Sequence, residues 1–318
     1  MDWLSRLFEL IPVKGRVDLR CFYGAPWRIE QGPALASEMP YHAILQGTAL
    51  LEDPGGGPQH RLVAGDILLL PQGDFHVLHD TTGAAPVPAK GRNALNVRIS
   101  ENAGIGERLD LMCGHFAFSA VHRRLLEAYL PRVVVVHVSG HDVSTARPGT
   151  GPQLAGLVSL LRAESESDSL GGLAMLNALS TAMFTLILRL ASEAGGAPVG
   201  LLALAGHPRL APALEALFLE PGRPWTLPDL AKLCNMSRAT FARQFQEKLG
   251  KSASELLTDI RMTLAANELK KPSASTATVA EAVGYHSIGA FQRVFKQRMG
   301  MTPARWRRTV HAANPAST

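Results

Sequence analysis

WTLPDLAKLCNMSRATFARQFQEKLG, residues 225–250, and TVAEAVGYHSIGAFQRVFKQRMG, residues 278–300, are two copies of one pattern. Phe241, Phe245, Gly250 and Ala253 fall 50 residues before Phe291, Phe295, Gly300 and Pro303, and Ser237 keeps the same offset from Ser287. Ala231 and Ala280 are 49 apart, so the turn of the second copy carries one extra residue. Each copy reads as a short helix, a turn and a second helix. Leu230-Ala231 and Val279-Ala280 give the apolar start, Met236-Ser237 and His286-Ser287 the turn, and each serine can cap the second helix by accepting an otherwise unpaired backbone N–H. Phe241, Phe245 and Leu249, like Phe291, Phe295 and Met299, recur every fourth residue and so form core stripes. The opposite side of the first copy then presents Ala239, Ala242, Arg243 and Gln246, and that of the second presents Gly289, Gln292, Arg293 and Lys296. Arg can bond guanine bidentately, Gln can bond adenine, and Ala can touch the thymine methyl, so such a surface suits a major groove. A single helix of this kind reads as a solvated face. Two copies with matched glycines and aromatics favour a DNA reader.

The segment resembles the paired helix-turn-helix DNA-binding domain of AraC-type bacterial transcription regulators. The resemblance is carried by Trp225, Leu230-Ala231, Met236-Ser237-Arg238, Phe241, Arg243, Phe245, Gly250, Arg261-Met262, Ala265, Gly284-Tyr285, Ser287, Phe291, Arg293, Phe295-Lys296, Gly300, Thr302-Pro303 and Arg307. It implies double-stranded promoter DNA as partner, with RNA polymerase beside it, and a central helix (here RMTLAANEL) joining two subdomains that enter successive major grooves. A helix of ~15 residues spans ~22 Å of the ~34 Å in one B-form turn. The expected DNA-facing residues are Arg238, Ala239, Thr240, Ala242, Arg243, Gln246, Ser287, Gly289, Gln292, Arg293 and Lys296, with Arg238 and Thr240 near phosphate. Ala253 departs from the proline usual in the first copy. Ile288-Gly289 makes a sparse start to the second reading helix, which shifts its contacts toward phosphate.

A length of 318 residues suggests two domains, and a 46% hydrophobic, 19% charged composition describes a globular chain. The net charge of +5 is unevenly spread. Residues 207–318 hold 16 Lys and Arg against 8 Asp and Glu, whereas residues 1–206 hold 16 against 19. A basic segment beside a slightly acidic one fits a polyanion partner for the former alone. The opening MDWLSRLFEL has no basic run before its apolar residues and reads as an amphipathic helix packed on the body, not a secretory signal. No apolar run is expected to reach the ~18 residues that span a bilayer, and the expected location is cytoplasmic.

From about Val17 to Val138, short apolar runs broken by Gly, Pro and Asp indicate β structure. Gly65-Asp66, the ILLL run, Pro71-Gln72-Gly73 and His76 resemble the second motif of cupin barrels. The expected fold class is thus two-domain α+β: an N-terminal cupin-like β-barrel with following helices, then an all-α tandem helix-turn-helix domain. The expected boundaries are 1–195 for the sensor and dimerisation domain, 196–206 for a linker and 207–310 for the DNA-binding domain. Residues 83–92 read as a loop between strands. The first cupin motif lacks its His-x-His pair and spaced glutamate. His42, His76, His79 and Asp80 are too scattered for a metal centre, which ordinarily takes at least three protein ligands, and neither metal, cofactor nor enzymatic activity is expected.

Cys21, Cys113 and Cys234 form no extracellular disulfide framework. Cys234, in the first helix of the repeat, reads as a core residue. Cys21 follows Arg20, and Cys113 can share a strand face with His115; each has a neighbour able to lower a thiol pKa. MDWLSRLFEL, Asp18, Cys21, Gly24, Trp27, YHAILQGTALLE, GDILLLPQ, CGHF and HPRL together resemble the reactive-chlorine-responsive activators of the AraC type. That resemblance implies Cys21 and Cys113 as oxidant sensors, one oxidised to a sulfenic acid or sulfenyl chloride and the other resolving it as a disulfide. A small-molecule effector held near Trp27, His42 and His76 stands as the alternative, and a cupin enzyme with an appended DNA-binding domain as a third. Within 170–193, Leu173, Leu176, Leu179, Met183, Leu186 and Leu190 run at helical spacing and read as buried, either on the sheet domain or in a homodimer seam.

Overall fold

The computed structural model describes residues 1–138, 149–193 and 199–312. The chain forms two compact units, one of Val13–Ala194 and one of Met1–Pro12 with Gly195–Thr318. The expected division at 195 therefore needs one correction. The opening helix α1 (Trp3–Leu10) groups with the C-terminal helices, not with the sheets that follow it in sequence. Its Leu4, Leu7 and Leu10 are buried, with Ile11 behind them.

The first unit begins with β1 (Lys14–Gly24), β2 (Arg28–Gln31), β3 (Glu38–Gln46), β4 (Thr48–Glu52), β5 (His60–Val63), β6 (Asp66–Leu69) and β7 (His76–His79). β8 (Ala89–Asn93), β9 (Arg98–Asn102) and β10 (Arg108–Ala117) follow, then α2 (Arg123–Tyr129), β11 (Val134–His137), α3 (Thr150–Glu166) and α4 (Gly172–Glu193). A seven-stranded sheet in the order β11-β6-β3-β10-β1-β9-β8 faces a four-stranded sheet in the order β2-β7-β4-β5. Among the described residues no ladder of hydrogen bonds joins the two sheets, so the expected barrel is open at its seams. Residues 83–92 are not all loop: β8 extends the edge of the large sheet with five exposed residues. The core between the sheets holds Cys21, Tyr23, Trp27, Ile44, Leu51, Leu68, Leu78, Leu111 and Cys113. Because side chains alternate along a strand, all of these but Trp27, which lies between β1 and β2, are every-other positions of β1, β3, β4, β6, β7 and β10.

α4 lies on β1. Gly15 permits this approach, since a Cβ there would sit 2.4 Å from Ser180. Thr181 Oγ1 accepts the Gly15 amide at 2.8 Å, Asn177 Oδ1 that of Val17 at 3.4 Å, and Ser180 meets the Tyr41 hydroxyl at 2.9 Å. The buried stripe is Leu176, Ser180, Met183-Phe184, Ile187-Leu188 and Ala191. The expected set was thus partly misplaced: Leu173 is 50% exposed, and Leu179, Leu186 and Leu190 are half-buried. By length and composition α4 does reach what a membrane crossing requires, contrary to expectation. Its polar stripe bonded to β1 is that of a core helix.

The second unit comprises α1 with α5 (Leu201–Ala205), α6 (Ala211–Leu219), α7 (Leu227–Leu233), α8 (Arg238–Leu249), α9 (Ala253–Glu268), α10 (Thr276–Ala282), α11 (Ile288–Met299) and α12 (Pro303–Ala312). Of the linker expected at 196–206, residues 196–198 lie outside the described residues. The remainder is not extended, because α5 buries Leu201, Leu202 and Leu204. α1 packs against α6 and α9, with Trp3 6.0 Å from Phe218 between ring centres and Asn267 Nδ2 donating to Leu10 O at 2.7 Å.

Candidate thiol site and nucleic-acid interface

β1, β10 and β3 are neighbours in the large sheet, and their register brings the thiols together. Cys113 lies opposite Leu19 on β1 and opposite His42 on β3, while Cys21 lies opposite Leu111. Cys21 and Cys113 are therefore diagonal neighbours on the inner face, a placement that puts side chains within reach. Both are buried, and a hydrogen bond joins them. That bond holds Cys21 below the ordinary thiol range and, with burial, pushes Cys113 well above it. The Tyr23 hydroxyl, 2.7 Å from Ser100 Oγ, gives Cys21 a second hydrogen bond.

Two expectations about these thiols fail. Arg20 does not activate Cys21, because adjacent residues on a strand point to opposite faces. Its guanidinium is buried with Asp110 (Nε–Oδ1 3.0 Å, Nη2–Oδ2 2.8 Å), Ser165 Oγ at 2.6 Å and Glu166 Oε1 at 2.7 Å. Nor does His115 meet Cys113. His115 Nδ1 bonds Asp18 at 2.6 Å, with Glu38 at 3.7 Å, and Asp18 raises its pKa.

The imidazole beside Cys113 is that of His42, with Nδ1 3.1 Å from Sγ. His42 Nε2 lies 2.8 Å from His76 Nε2, and His76 Nδ1 lies 2.9 Å from the Asp74 carbonyl oxygen. The contact between the histidines spans the two sheets, since His42 is on β3 and His76 on β7. Burial lowers the pKa of both, that of His42 to about 3, so both rings are neutral at physiological pH. Among the described residues no group of three or more His, Cys, Asp or Glu is arranged to hold a metal ion. Trp27 does not join this cluster; it packs on Tyr23, and the Asp80 carboxylate takes its backbone amide. A cavity of about 320 Å³ lies instead between Ile44, Leu45, Gly65 and Val138 on one side and Ala155, Val158, Ser159 and Arg162 on the other.

In the helical unit, Ser237 caps α8 by accepting the Thr240 amide at 3.2 Å, and Ser287 caps α11 by accepting that of Ala290 at 3.3 Å. Both helices run 12 residues and end on glycines, Gly250 (φ 80°) and Gly300 (φ 75°), in the left-handed conformation that lets a helix stop sharply. Phe241, Phe245, Leu249, Phe291 and Phe295 are buried; Met299 is only half-buried. Arg238, Ala239, Ala242, Arg243, Gln246, Ser287, Gly289, Gln292, Arg293 and Lys296 are exposed, with Thr240 half-buried at the start of α8. Arg243 pairs with Glu247 at 3.0 Å, and Gln246 Nε2 donates to Gly250 O at 3.1 Å. Ile288, read from the sequence only as part of a sparse helix start and not as a DNA-facing residue, stands 47% exposed in the first turn of α11. Its signal was an apolar residue directly after the cap.

Residues 2–193 match a family described as cupin, and residues 230–309 one described as helix-turn-helix domain. The chain belongs to the cupin-fronted AraC-type regulators. An uncharacterized HTH-type transcriptional regulator of Haemophilus influenzae is 29% identical over 98% of this chain and 99% of its own length. The RCS-specific HTH-type transcriptional activator RclR of Escherichia coli is 29% identical over 99% and 100%. Among solved structures, the DNA-binding domain of AdpA in complex with a target DNA is 28% identical over 33% of this chain and 98% of that one, with a TM-score of 0.31. As an AraC-type regulator the protein acts on DNA through its second unit, and its cupin unit is the part available to receive a signal.

Proposed function

We propose that this regulator is an activator switched by oxidation of Cys21 and Cys113. The observation carrying that reading is the pair of buried thiols, diagonal neighbours joined by a hydrogen bond, with Cys21 shifted toward thiolate. The thiolate is the attacking species, so Cys21 meets the oxidant and Cys113 resolves it. The likeness to an RCS-specific activator along the whole chain supports the same stimulus. DNA contact by Arg243, Gln246, Gln292, Arg293 and Lys296 follows from their exposure on α8 and α11, with Arg238, Ala239, Thr240, Ala242, Ser287 and Gly289 beside them. Ile288 adds an apolar contact suited to a thymine methyl. Cytoplasmic location, RNA polymerase as partner and homodimerisation belong to this same reading.

The test is alkylation mapping after hypochlorous acid treatment. Loss of both Cys21 and Cys113 from the alkylatable pool, with Cys234 still reactive under denaturant, is the expected result. Two freely alkylated cysteines end the proposal. A second reading rests on the cavity beside α3, whose volume lies within the range of small-molecule sites. An effector there, not at Trp27, His42 and His76, would leave a Cys21→Ala/Cys113→Ala protein inducible.

A further inference from the structure

The hydrogen-bond partners fix every ring proton in the chain that starts at Cys113. A carbonyl oxygen only accepts, so His76 Nδ1 carries the proton it shares with Asp74 O. His76 Nε2 is then a bare lone pair, and His42 Nε2 must donate to it across 2.8 Å. That leaves His42 Nδ1 bare, facing Cys113 Sγ at 3.1 Å, placed to take the thiol proton once Cys21 is oxidised and no longer competes for it. Each ring is both donor and acceptor in one direction, from thiol to backbone carbonyl.

We propose that His42 is the base for the disulfide-forming step, relaying the Cys113 proton to His76. This inference rests on the thiol-switch reading above. In the first step the Cys21 thiolate takes Cl⁺ from hypochlorous acid, giving Cys21–S–Cl and releasing hydroxide. In the second, Cys113 sulfur forms the S–S bond and the S–Cl bond breaks, releasing chloride. The Cys113 proton passes to His42 Nδ1 as the Nε2 proton of His42 passes to His76 Nε2.

The need for such a base follows from burial. Cys113 is 9% exposed with a pKa pushed well above the ordinary thiol range, so water does not deprotonate it readily. His42 is fully enclosed and, with its pKa near 3, does not retain a proton. It acts as a conduit. His76 is the better place for the charge, because the Asp74 carbonyl and carboxylate both favour its protonated form. Arg132 faces the same carboxylate at 2.8 Å and moderates that attraction. Cys21, Tyr23 and Cys113 are the titratable groups on the other side of the relay. The sheets thus bring a proton exit to a thiol pair that is otherwise enclosed.

His42→Asn separates this role from mere support, since its side-chain oxygen can accept from the Cys113 thiol but cannot pass a proton on. Parent and variant full-length proteins are treated with hypochlorous acid, quenched with an alkylating agent at intervals, and mapped by mass spectrometry. A parallel series includes dimedone, which traps the sulfenic acid formed when the sulfenyl chloride hydrolyses. The expected result is disulfide formation slowed roughly 100-fold, as for loss of a general base, with dimedone adducts accumulating on Cys21. His42→Ala should be slowed as much and recover with added imidazole but not with pyrazole, a ring of equal size and far lower basicity. Equal rates in parent and His42→Asn overturn the relay while leaving the switch intact. A parent that forms no Cys21–Cys113 disulfide removes the switch itself. Stoichiometric zinc bound through His42 and His76 in the purified protein also overturns the relay, because the ring nitrogens would then be occupied.

Discussion

Replacing Asp110 with Asn should be among the most damaging single changes in the sheet unit. Arg20 is 1% exposed and donates two hydrogen bonds to the Asp110 carboxylate, at 3.0 and 2.8 Å. An amide in its place turns a donor toward two donors and leaves the guanidinium without its buried counter-charge. Breaking a buried pair by removing one partner costs about 3–5 kcal/mol. Glu166, at 2.7 Å but 54% exposed, remains and offsets at most about 1 kcal/mol of this, as solvent-screened pairs do. The expected net loss is therefore about 3 kcal/mol, which for a unit of this size is about 6–12 °C in Tm. Hydrogen exchange of the β1 and β10 amides reads that unit apart from the helices. Arg20→Met/Asp110→Leu is the companion measurement, since matched apolar replacements of a buried pair are commonly near neutral. A loss below about 1 kcal/mol in Asp110→Asn, or a double variant as weak as the single, would refute the reasoning.

Leu7→Ala should weaken the helical unit by about 3–5 kcal/mol, the range for a buried leucine whose space cannot collapse; exchange rates in α6 and α9 check it, and unchanged rates would show that α1 docks elsewhere. Arg293→Ala should cost about 1–3 kcal/mol of specific DNA binding if its guanidinium reads a base edge, measured as operator affinity against that for unrelated DNA. DNA affinity should fall linearly with salt on logarithmic axes, and a flat response would remove phosphate contacts from the account. His42 has a folded-state pKa depressed to about 3 by burial and by His76. The unfolded chain then binds more protons between about pH 6.5 and pH 3, so stability is fully present above 6.5 and is lost as pH falls through that window. His42→Gln should flatten this acid limb of the unfolding curve.

The helical unit was largely legible because its signals are local. A serine cap, a phenylalanine stripe of period four and a stop glycine lie within fourteen residues of one another, and α8 and α11 follow them. The thiol site was less so, because its geometry is set by register between distant strands. Nothing in the sequence pairs Cys113 with His42 instead of His115, since strand partners 71 residues apart depend on how β3 meets β10. Arg20 misled in the opposite way: adjacency in sequence suggested contact with Cys21, and alternation along β1 denied it. In α4, leucine spacing marked a helix but not which stripe faced inward, because the side against β1 is chosen by Asn177, Ser180 and Thr181.

The placement of α1 makes the cupin unit an insertion: the chain starts in the helical unit, leaves it at Pro12 and re-enters it by residue 199. The inserted unit is thus tethered at both ends, and β1, which carries Cys21, starts two residues beyond the first tether. It also follows that a fragment cut at residue 199 would be missing a piece of its own interior, with Phe218 and its neighbours opened to water.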